Sequence, residues 1–279
     1  MKRTTQYIRN SLIRCYSHQE IEAFIYIIFN HIYNYSKNDL ILNAGNTLPE
    51  SDFYKIKEIV SRLMLQEPIQ YILGETEFFG LPFKVSHGVL IPRNETEELV
   101  DLILKNHSKG KLKVLDVGTG SGCISISLKN NRYDFDVYAC DISGEALRMA
   151  KENAELNNVD VEFFQFDILS DEELPFSDFN IIVSNPPYVT KKEKKLMEAN
   201  VLEHEPWLAL FVPDDDPLQF YRVIVQKSRK YLAQKGMLYF EINEAYGEEV
   251  IQLLKDANFE ATIFKDINGK DRMVKARRN

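Results

Sequence analysis

Near residue 185 the chain combines a side-chain amide, two prolines and an aromatic ring, in the order Asn185-Pro186-Pro187-Tyr188. The prolines fix φ and remove two backbone donors, so a stiff, extended turn with free carbonyl groups is predicted. The side-chain oxygen of Asn185 and the carbonyl of Pro186 could then accept both hydrogens of one planar NH2 group. Such an arrangement would aim the nitrogen lone pair at an activated methyl donor without a strong base. The motif could also be only the start of a loop, because short motifs often match by chance.

Buried strands are predicted to position this turn and three other segments. The β-branched run Ile181–Val183 leads into Asn185, and Gly118–Gly122, Asp141 and Asp167 each follow a similar run. The predicted strands cover residues 112–117, 136–140, 161–166 and 181–184. Because open α/β sheets bind ligands at the carboxyl ends of their strands, all four segments are expected at one sheet edge. Their agreement indicates a site for a nucleoside-type cofactor.

Two details of these segments leave alternatives open. The glycines of Gly118–Gly122 have the spacing G-x-G-x-G, whereas a dinucleotide fingerprint would place the third glycine one position later. The loop still allows a ligand to approach the backbone and the following helix closely. Asp141 lies about 20 residues beyond the loop, where an acidic residue in this topology binds ribose hydroxyls. Alternatively, Asp141 only caps the helix that is predicted to begin near Ser143.

Helical patterns dominate residues 1–73. Ser17 and Glu20 form a capping-box pattern ahead of an apolar stripe at helical spacing. Thr47 and Glu50 form a second such pattern, with Pro49 inside its first turn, and the helix that follows is predicted to end before residue 68. The apolar stripes predict a small helical bundle, whose function would depend on the surface that it exposes.

Strand patterns border the predicted sheet domain on both sides. Residues 76–79, 83–85 and 89–91 predict a hairpin segment, and Asn94 or Thr96 could cap the helix that runs from there to about residue 106. Arg93 lies at this expected domain junction, where binding sites often form. Near the end of the chain, Asn268-Gly269 predicts a two-residue turn between strands at 261–267 and 272–276. A strand at 237–242 and a helix at 246–257 precede this hairpin.

Composition and charge narrow the function classes. The 279 residues are 44% hydrophobic and 27% charged, which is ordinary for a globular protein of one large or two unequal domains. We expect a cytoplasmic protein without membrane association, because no apolar run approaches a membrane span and no signal-peptide core follows residue 5. The net charge of -8 argues against stable nucleic-acid binding.

The cysteines and histidines show no site pattern. The three cysteines are far apart, which predicts reduced thiols, and the five histidines lack metal-ligand spacing, so no metal site is expected. We also expect a monomer.

Several segments together resemble the class I S-adenosylmethionine methyltransferases, and within them the glutamine methyltransferases of peptide-chain release factors, the HemK or PrmC family. The similarity covers nearly the whole chain, and its earlier segments are the more specific ones. It rests on Glu67-Pro68-Ile69-Gln70-Tyr71-Ile72-Leu73-Gly74, Glu77-Phe78-Phe79-Gly80-Leu81-Pro82-Phe83, Val89-Leu90-Ile91-Pro92-Arg93, Asp116-Val117-Gly118-Thr119-Gly120-Ser121-Gly122, Asn185-Pro186-Pro187-Tyr188 and Glu205-Pro206-Trp207-Leu208-Ala209-Leu210.

The resemblance implies an α/β fold: a Rossmann-like sheet, mostly parallel with its last strand antiparallel, and a small N-terminal helical bundle joined to it by a β-hairpin. The antiparallel last strand suits a methyltransferase and not a dehydrogenase. The implied domains are a helical substrate-docking domain at 1–73, a hairpin linker at 74–91 and the methyltransferase domain at 92–279.

The resemblance also implies roles for individual residues. The cofactor S-adenosyl-L-methionine would be bound by Gly118, Thr119, Gly120, Ser121 and Gly122 at its methionine part, by Asp141 at its ribose, by Asp167 and Ile168 at its adenine, and by Asn185. The substrate glutamine would be held by Asn185, Pro186, Pro187 and Tyr188. Of these, Asn185, Pro186 and Tyr188 are expected to serve catalysis, with the tyrosine ring packing against the amide plane or the sulfonium.

The sequence departs from the family pattern at two places. Asn94 stands where a second proline is usual, and Asp216-Pro217-Leu218 replaces a glycine-rich approach to the next helix, which predicts an Asp cap there. The lysine-rich segment Lys191–Lys195 is predicted to be mainly a solvated surface, with partner contact as the alternative.

The expected function is transfer of a methyl group from S-adenosyl-L-methionine to the side-chain amide nitrogen of glutamine in the Gly-Gly-Gln segment of release factors, which would be the protein partners. One alternative is methylation of an exocyclic amine of a nucleic-acid base, since adenine presents the same planar NH2 group. Another is a noncatalytic module that keeps the cofactor fold, against which the intact Asn185 and glycine loop argue.

Overall fold

Amphipathic helices form the first part of the chain. The computed structural model describes residues 1–278, except for the side chains of residues 196 and 199. The chain divides into two compact units, one made of residues 1–74 with 198–204, and the other of residues 75–197 with the chain from Glu205 onward. The helices of the first unit are α1 (Lys2–Leu12), α2 (His18–Tyr33), α3 (Lys37–Leu42), α4 (Glu50–Met64), α5 (Ile69–Leu73) and, from later in the chain, α9 (Ala199–His204).

The helix caps of the first unit match the sequence in one case and differ in another. Ser17 and Glu20 form the predicted capping box of α2. The box predicted at Thr47 and Glu50 is wrong: α4 begins at Glu50 with Pro49 as its N-cap and no side-chain cap bond. The proline restricts the residue before it to extended backbone, so the helix begins only after the proline. The apolar stripes of α2 and α4 are buried in the core of this unit, as predicted.

A hairpin opens the second unit and packs into it. Strands β1 (Glu75–Phe78) and β2 (Leu81–Lys84) are antiparallel, and Phe78 and Phe83 lie in the apolar core of this unit. The backbone of Lys84 exchanges two hydrogen bonds, of 2.6 and 3.0 Å, with the Asn153 side chain. The hairpin therefore lies within the second unit.

The strand predicted at 89–91 is wrong. Val89 closes a turn by donating from its backbone N–H to the Ser86 carbonyl at 3.0 Å, and the chain then runs into Pro92 without strand pairing. Val89 and Ile91 are buried. The apolar alternation here reflects burial of two side chains and not a strand.

One seven-stranded sheet forms the centre of the second unit, in the order β10-β11-β9-β6-β3-β4-β5. Its strands are β3 (Lys113–Val117), β4 (Asp136–Asp141), β5 (Glu162–Gln165), β6 (Phe179–Ser184), β9 (Leu232–Glu241), β10 (Phe259–Lys265) and β11 (Asp271–Arg278), and a short parallel pair, β7 (Val189–Thr190) and β8 (Phe211–Val212), lies apart from it. The last strand, β11, is antiparallel to both of its neighbours, whereas the other pairs are parallel. The predicted fold class is confirmed.

Along the chain, helices alternate with the strands of this unit. They are α6 (Asn94–Asn106), α7 (Cys123–Asn131), α8 (Gly144–Leu156), α10 (Trp207–Leu210), α11 (Gln219–Tyr231) and α12 (Gly247–Asp256). Within residues 1–278, no helix has both the length and the apolar character that a membrane span requires.

Two predicted helix caps in this unit are wrong. Neither Asn94 nor Thr96 caps α6, whose N-cap is Arg93 without a side-chain cap bond. Helix α11 begins at Gln219, and Asp216 does not cap it but forms an ion pair with Arg222. Thr96 bonds Glu241 and Asp216 bonds Arg222, and these contacts replace the caps predicted for the two residues.

The last turn is also longer than predicted. The connection between β10 and β11 covers residues 266–270, because Asp266 accepts the backbone N–H groups of Asn268 and Lys270 at 2.9 Å each.

Candidate active site

The carboxyl ends of four adjacent strands surround one cavity. Strands β6, β3, β4 and β5 are neighbours in the sheet, so the segments that follow them meet at its edge. The cavity has a volume of about 500 Å³, within the usual range for small-molecule sites. Of the predicted site residues, those lining it are Gly118, Thr119, Gly120, Ser121, Asp141, Asp167, Ile168, Asn185, Pro186 and Pro187, whereas Gly122 and Tyr188 are not part of the lining.

The glycine loop between β3 and α7 bends around the floor of the cavity. Gly118, Gly120 and Gly122 have φ of 74°, 57° and 83°, a backbone region that glycine adopts without strain. A Cβ on Gly122 would lie 2.7 Å from the Ile126 Cδ1 atom and 3.2 Å from the Ala150 Cβ atom. Gly122 therefore permits the close packing of α7 against α8, whereas Gly118 and Gly120 face open space.

A buried carboxylate supports this loop from below. Asp116 accepts hydrogen bonds from the Thr119 hydroxyl at 2.6 Å and the Ser125 backbone N–H at 3.3 Å. Burial raises the pKa of Asp116 to about 6, although these hydrogen bonds lower it. The pair Asp116–Thr119 thus fixes the loop through one short, fully buried bond.

Asp141 links the glycine loop to the start of α8. Its two carboxylate oxygens accept the backbone N–H groups of Gly120 and Ser143 at 2.9 Å each, and burial raises its pKa. Ser143 is the N-cap of α8, since its hydroxyl accepts the Ala146 backbone N–H at 3.2 Å. The carboxylate oxygens have further lone pairs, so Asp141 can accept ribose hydroxyls while it holds these two loops together.

Apolar side chains form the part of the cavity beyond Asp141. Ile142, Phe166, Ile168 and Leu169 line it, and Asp167 accepts the Leu169 backbone N–H at 2.9 Å. Such a surface suits a flat, apolar ring with a polar edge.

At the opposite part of the cavity, the lining residues Asn185 and Thr96 belong to a hydrogen-bonded group of side chains. The Asn185 amide Nδ2 donates to the Thr96 hydroxyl at 3.2 Å, and the Thr96 hydroxyl donates to Glu241 Oε2 at 2.6 Å. The Tyr188 hydroxyl donates to Glu241 Oε1 at 3.0 Å. Burial raises the pKa of Glu241, while the bonds from Thr96 and Tyr188 and the charge of Arg272 lower it. Tyr188 therefore points to Glu241 at the side of the cavity.

Sequence reasoning did not identify Thr96 and Glu241 as site residues. Glu241 ends β9, beside β6 in the sheet, and an acidic residue at the end of an apolar strand was a usable signal. Arg93, at the predicted domain junction, lines the cavity, and its side chain pairs with the buried Glu205 at 2.6 Å. Burial raises the pKa of Glu205 and the charge of Arg93 lowers it. This pair gives the family-like segment at 205–210 a fixed position beside the cavity.

Among the described residues, carboxylates lie around the cavity, but no group of side chains forms a metal centre. Asp141 lines the cavity, and Asp116 and Glu241 lie directly behind its lining, where they bond Thr119 and Thr96. Carboxylates around this cavity favour a positively charged ligand. Within residues 1–278, no group of three His, Cys, Asp or Glu side chains could hold a metal ion.

This structure is that of a class I S-adenosylmethionine-dependent methyltransferase. The features that define the class are the order of the sheet, the glycine loop, the acid at the end of a strand and the Asn-Pro-Pro-Tyr turn. The methyltransferase small domain matches residues 93–206, and the PrmC N-terminal domain matches residues 6–74. A methyltransferase structure from Pyrococcus furiosus has a TM-score of 0.52 at 16% identity, covering 71% of this chain and 89% of that one, and it shows the same fold.

Two curated relatives define the family. The release factor glutamine methyltransferase of Flavobacterium psychrophilum is 48% identical, covering 97% of this chain and 96% of that protein. That of Bacteroides thetaiotaomicron is 46% identical over 100% of both chains. The chain belongs to the release factor glutamine methyltransferase family, and it is an S-adenosylmethionine-dependent protein-glutamine N-methyltransferase.

Proposed function

We propose that this enzyme methylates the side-chain amide nitrogen of the glutamine in the Gly-Gly-Gln segment of peptide-chain release factors, with Asn185 and Pro186 holding that amide. The observation that carries the proposal is the position of the Asn-Pro-Pro turn: Asn185, Pro186 and Pro187 line the same cavity as the glycine loop and Asp141. The names of the curated relatives support a release factor as the substrate.

The cavity fits the cofactor by size and chemistry. Its volume of about 500 Å³ suits a nucleoside-sized ligand. Gly118 and Gly120 leave space at the N-terminus of α7, which suits an amino-acid carboxylate. Asp141 would hold the ribose, and Asp167 and Ile168 would flank the adenine. When bound, S-adenosylmethionine supplies an activated methyl group on a positively charged sulfur.

The residues of the Asn-Pro-Pro turn would prepare the nitrogen for attack. An amide nitrogen is a weak nucleophile, since its lone pair is delocalised into the carbonyl. The Asn185 side-chain oxygen and the Pro186 carbonyl would accept its two hydrogens, which enriches and aims that lone pair. No strong base is required, because water can take the proton after the nitrogen has been methylated. Tyr188 would stabilise the turn beside the pocket, because its hydroxyl bonds Glu241.

The helical region at 1–73 would select the protein substrate, with the hairpin region at 74–91 linking it to the catalytic region at 92–279. A pocket that holds one side chain contacts too few atoms to choose one protein among many. In the first unit, α3 has no buried residue, and Ile41 and Leu42 on it are 75% and 81% exposed. Exposed apolar side chains of this kind are suited to docking a partner.

We further propose that the enzyme is a cytoplasmic monomer that makes no stable contact with nucleic acid. Light scattering on the purified enzyme would measure its mass and so test the monomer.

The substrate is tested directly with a methyl-labelled cofactor. Purified enzyme is incubated with an intact release factor, with the same factor carrying Gln→Ala at the target position, and with total nucleic acid. Label should enter the unmodified factor alone. Label in the Gln→Ala factor or in nucleic acid would contradict the proposal, and the second result would favour methylation of an exocyclic amine of a base.

The docking role is tested with full-length enzyme and two substrates. Ile41→Ser with Leu42→Ser should lower kcat/KM on an intact release factor by about tenfold and leave kcat/KM on a short Gly-Gly-Gln peptide unchanged. Ile267→Ser, at another exposed apolar side chain, is the matched control and should change neither value. Equal loss on peptide and intact factor would contradict a docking surface on α3.

A further inference from the structure

A hydrogen-bonded chain connects the Asn185 amide to a buried carboxylate. Asn185 follows β6, Thr96 is in the first turn of α6, and Glu241 ends β9, so three separate elements contribute. The chain runs from Asn185 Nδ2 to the Thr96 hydroxyl at 3.2 Å and from that hydroxyl to Glu241 Oε2 at 2.6 Å. Thr96 and Glu241 are almost fully buried.

The carboxylate fixes the direction of each bond in this chain. Glu241 accepts at both of its oxygens, from Thr96 at Oε2 and from Tyr188 at Oε1, so the single hydrogen of the Thr96 hydroxyl is given to Glu241. The hydroxyl oxygen can then only accept from Asn185, which must therefore present its NH2 group to Thr96. Glu241 also receives the Tyr188 hydroxyl at its other oxygen. As a result, the planar amide of Asn185 has its nitrogen engaged and its carbonyl oxygen available to a ligand in the cavity.

A flip of this amide would be easy without the network. Rotation by half a turn exchanges the oxygen and nitrogen of an asparagine almost without change of shape. In the flipped state the Asn185 oxygen would face the Thr96 oxygen, whose hydrogen is bound to Glu241, and two acceptors would meet without a hydrogen between them. Leaving such a pair unsatisfied in a buried place disfavours the flipped state by about 10- to 100-fold.

We infer that Thr96 and Glu241 are positioning residues that hold the Asn185 oxygen toward the substrate and thereby select an amide over a carboxylate. A glutamine amide has two hydrogens to donate to two acceptors, the Asn185 oxygen and the Pro186 carbonyl. A glutamate carboxylate has none, and it would be bound only if Asn185 turned its NH2 group to the cavity. The inference rests on the proposed function, since it explains how the target amide is chosen.

Two substitutions at Thr96 separate the hydroxyl from the shape of the side chain. Thr96→Val keeps the branched shape and removes the hydroxyl, so kcat should fall about 10- to 100-fold while cofactor affinity stays unchanged. Thr96→Ser keeps the hydroxyl and should restore most of kcat. Thr96→Ala serves as a second hydroxyl-free variant if Thr96→Val folds poorly.

The deciding measurement is selectivity between two forms of the substrate. A release factor with Gln→Glu at the target position is used as an inhibitor, and its Ki is divided by the KM of the unchanged factor. This ratio does not depend on the amount of folded enzyme. It should fall about tenfold in Thr96→Val, because the freed amide can turn to the carboxylate, and it should stay at the wild-type value in Thr96→Ser. An unchanged ratio in both hydroxyl-free variants overturns the inference.

Thr119→Val is the matched control. Thr119 is also a buried threonine that donates to a buried carboxylate at 2.6 Å, but its carboxylate is Asp116 under the glycine loop. Its loss should leave the Ki/KM ratio unchanged, and an equal fall there would also overturn the inference. Failure of the wild-type enzyme to label a release factor would instead refute the proposed function, so the two failures are distinguishable.

Discussion

The two ends of the cavity are built in different ways. At the cofactor end, backbone N–H groups donate to carboxylates over shorter distances in sequence: Asp141 accepts the Gly120 N–H, 21 positions away, and Asp116 accepts the Ser125 N–H, 9 positions away. At the amide end, the contacts join side chains that are distant in sequence. Thr96 and Glu241 are separated by 145 positions, and Asn185 and Thr96 by 89.

This difference predicts how each end responds to mutation. Backbone N–H groups persist whatever side chain is present, so the cofactor end should lose affinity or stability in small steps. The amide end depends on individual side-chain atoms that orient one another, so one deletion there should remove most of the turnover.

The largest effect is expected for Asn185→Ala. This change removes one of the two acceptors proposed for the target amide, and kcat should fall about 100- to 1,000-fold. Calorimetry should show cofactor affinity near that of the wild type, because the glycine loop and Asp141 are untouched. Near-normal turnover in the folded variant would refute the proposed mechanism.

The next largest effect is a pH dependence of stability at the cofactor end. Since burial raises the pKa of Asp116 from 3.8 to about 6, the folded protein holds its proton more tightly than the unfolded chain. The contribution of Asp116 to the free energy of unfolding is fully present below pH 4 and is lost as the pH rises through 6. The total loss is about 3 kcal/mol at most.

Asp116→Asn, which cannot ionise, should remove this dependence. Urea unfolding at several pH values between 4 and 7 gives the free energy of unfolding of both proteins. As the pH rises, the free energy of unfolding of the wild type should fall relative to that of Asp116→Asn. A difference that stays constant with pH would mean that Asp116 titrates alike in both states.

A smaller effect is expected for Asp141→Ala. Loss of charge-assisted bonds to the ribose should weaken cofactor binding by about 1.5 to 3 kcal/mol, measured by calorimetry. Asp160→Ala makes the same change in net charge at an exposed position and should not alter the affinity. Unchanged affinity in Asp141→Ala would leave this carboxylate only its role of joining the glycine loop to the start of α8.

The same difference explains how much the sequence could predict. The fold and the positions of the glycine loop and Asp141 were predictable, because β-branched runs, glycines and strand-end acids are local signals and parallel strands bring their ends together. The pairing of Thr96 with Glu241 was not, since no local pattern joins residues so far apart. At the start of α6 the residue type of Thr96 predicts a cap, and the contact with Glu241 replaces that role.

Local competition also explains the wrong turn at the end of the chain. Asn268-Gly269 favours a two-residue hairpin turn. The Asp266 carboxylate instead accepts hydrogen bonds from two backbone N–H groups and forms an ion pair with Arg272 at 3.3 Å. These contacts stabilise a wider loop. A side chain that bonds its own turn can therefore override the turn type that the central residues prefer.

The smallest effect, and the sharpest contrast between the two ends, is expected for Ser143→Ala. This change deletes one hydroxyl at the cofactor end, where Ser143 caps α8. Loss of the cap should lower the free energy of unfolding by about 1 kcal/mol. Cofactor affinity and kcat should stay at wild-type values, because the backbone N–H of residue 143, which donates to Asp141, remains. Thr96→Val deletes one hydroxyl at the amide end and should instead lower kcat with little change in cofactor affinity. Thermal unfolding, calorimetry and steady-state rates measured on both variants therefore test the contrast directly. If Ser143→Ala reduces kcat as strongly as Thr96→Val does, the two ends are equally sensitive to a lost hydroxyl, and the distinction between a backbone-built and a side-chain-built end is wrong.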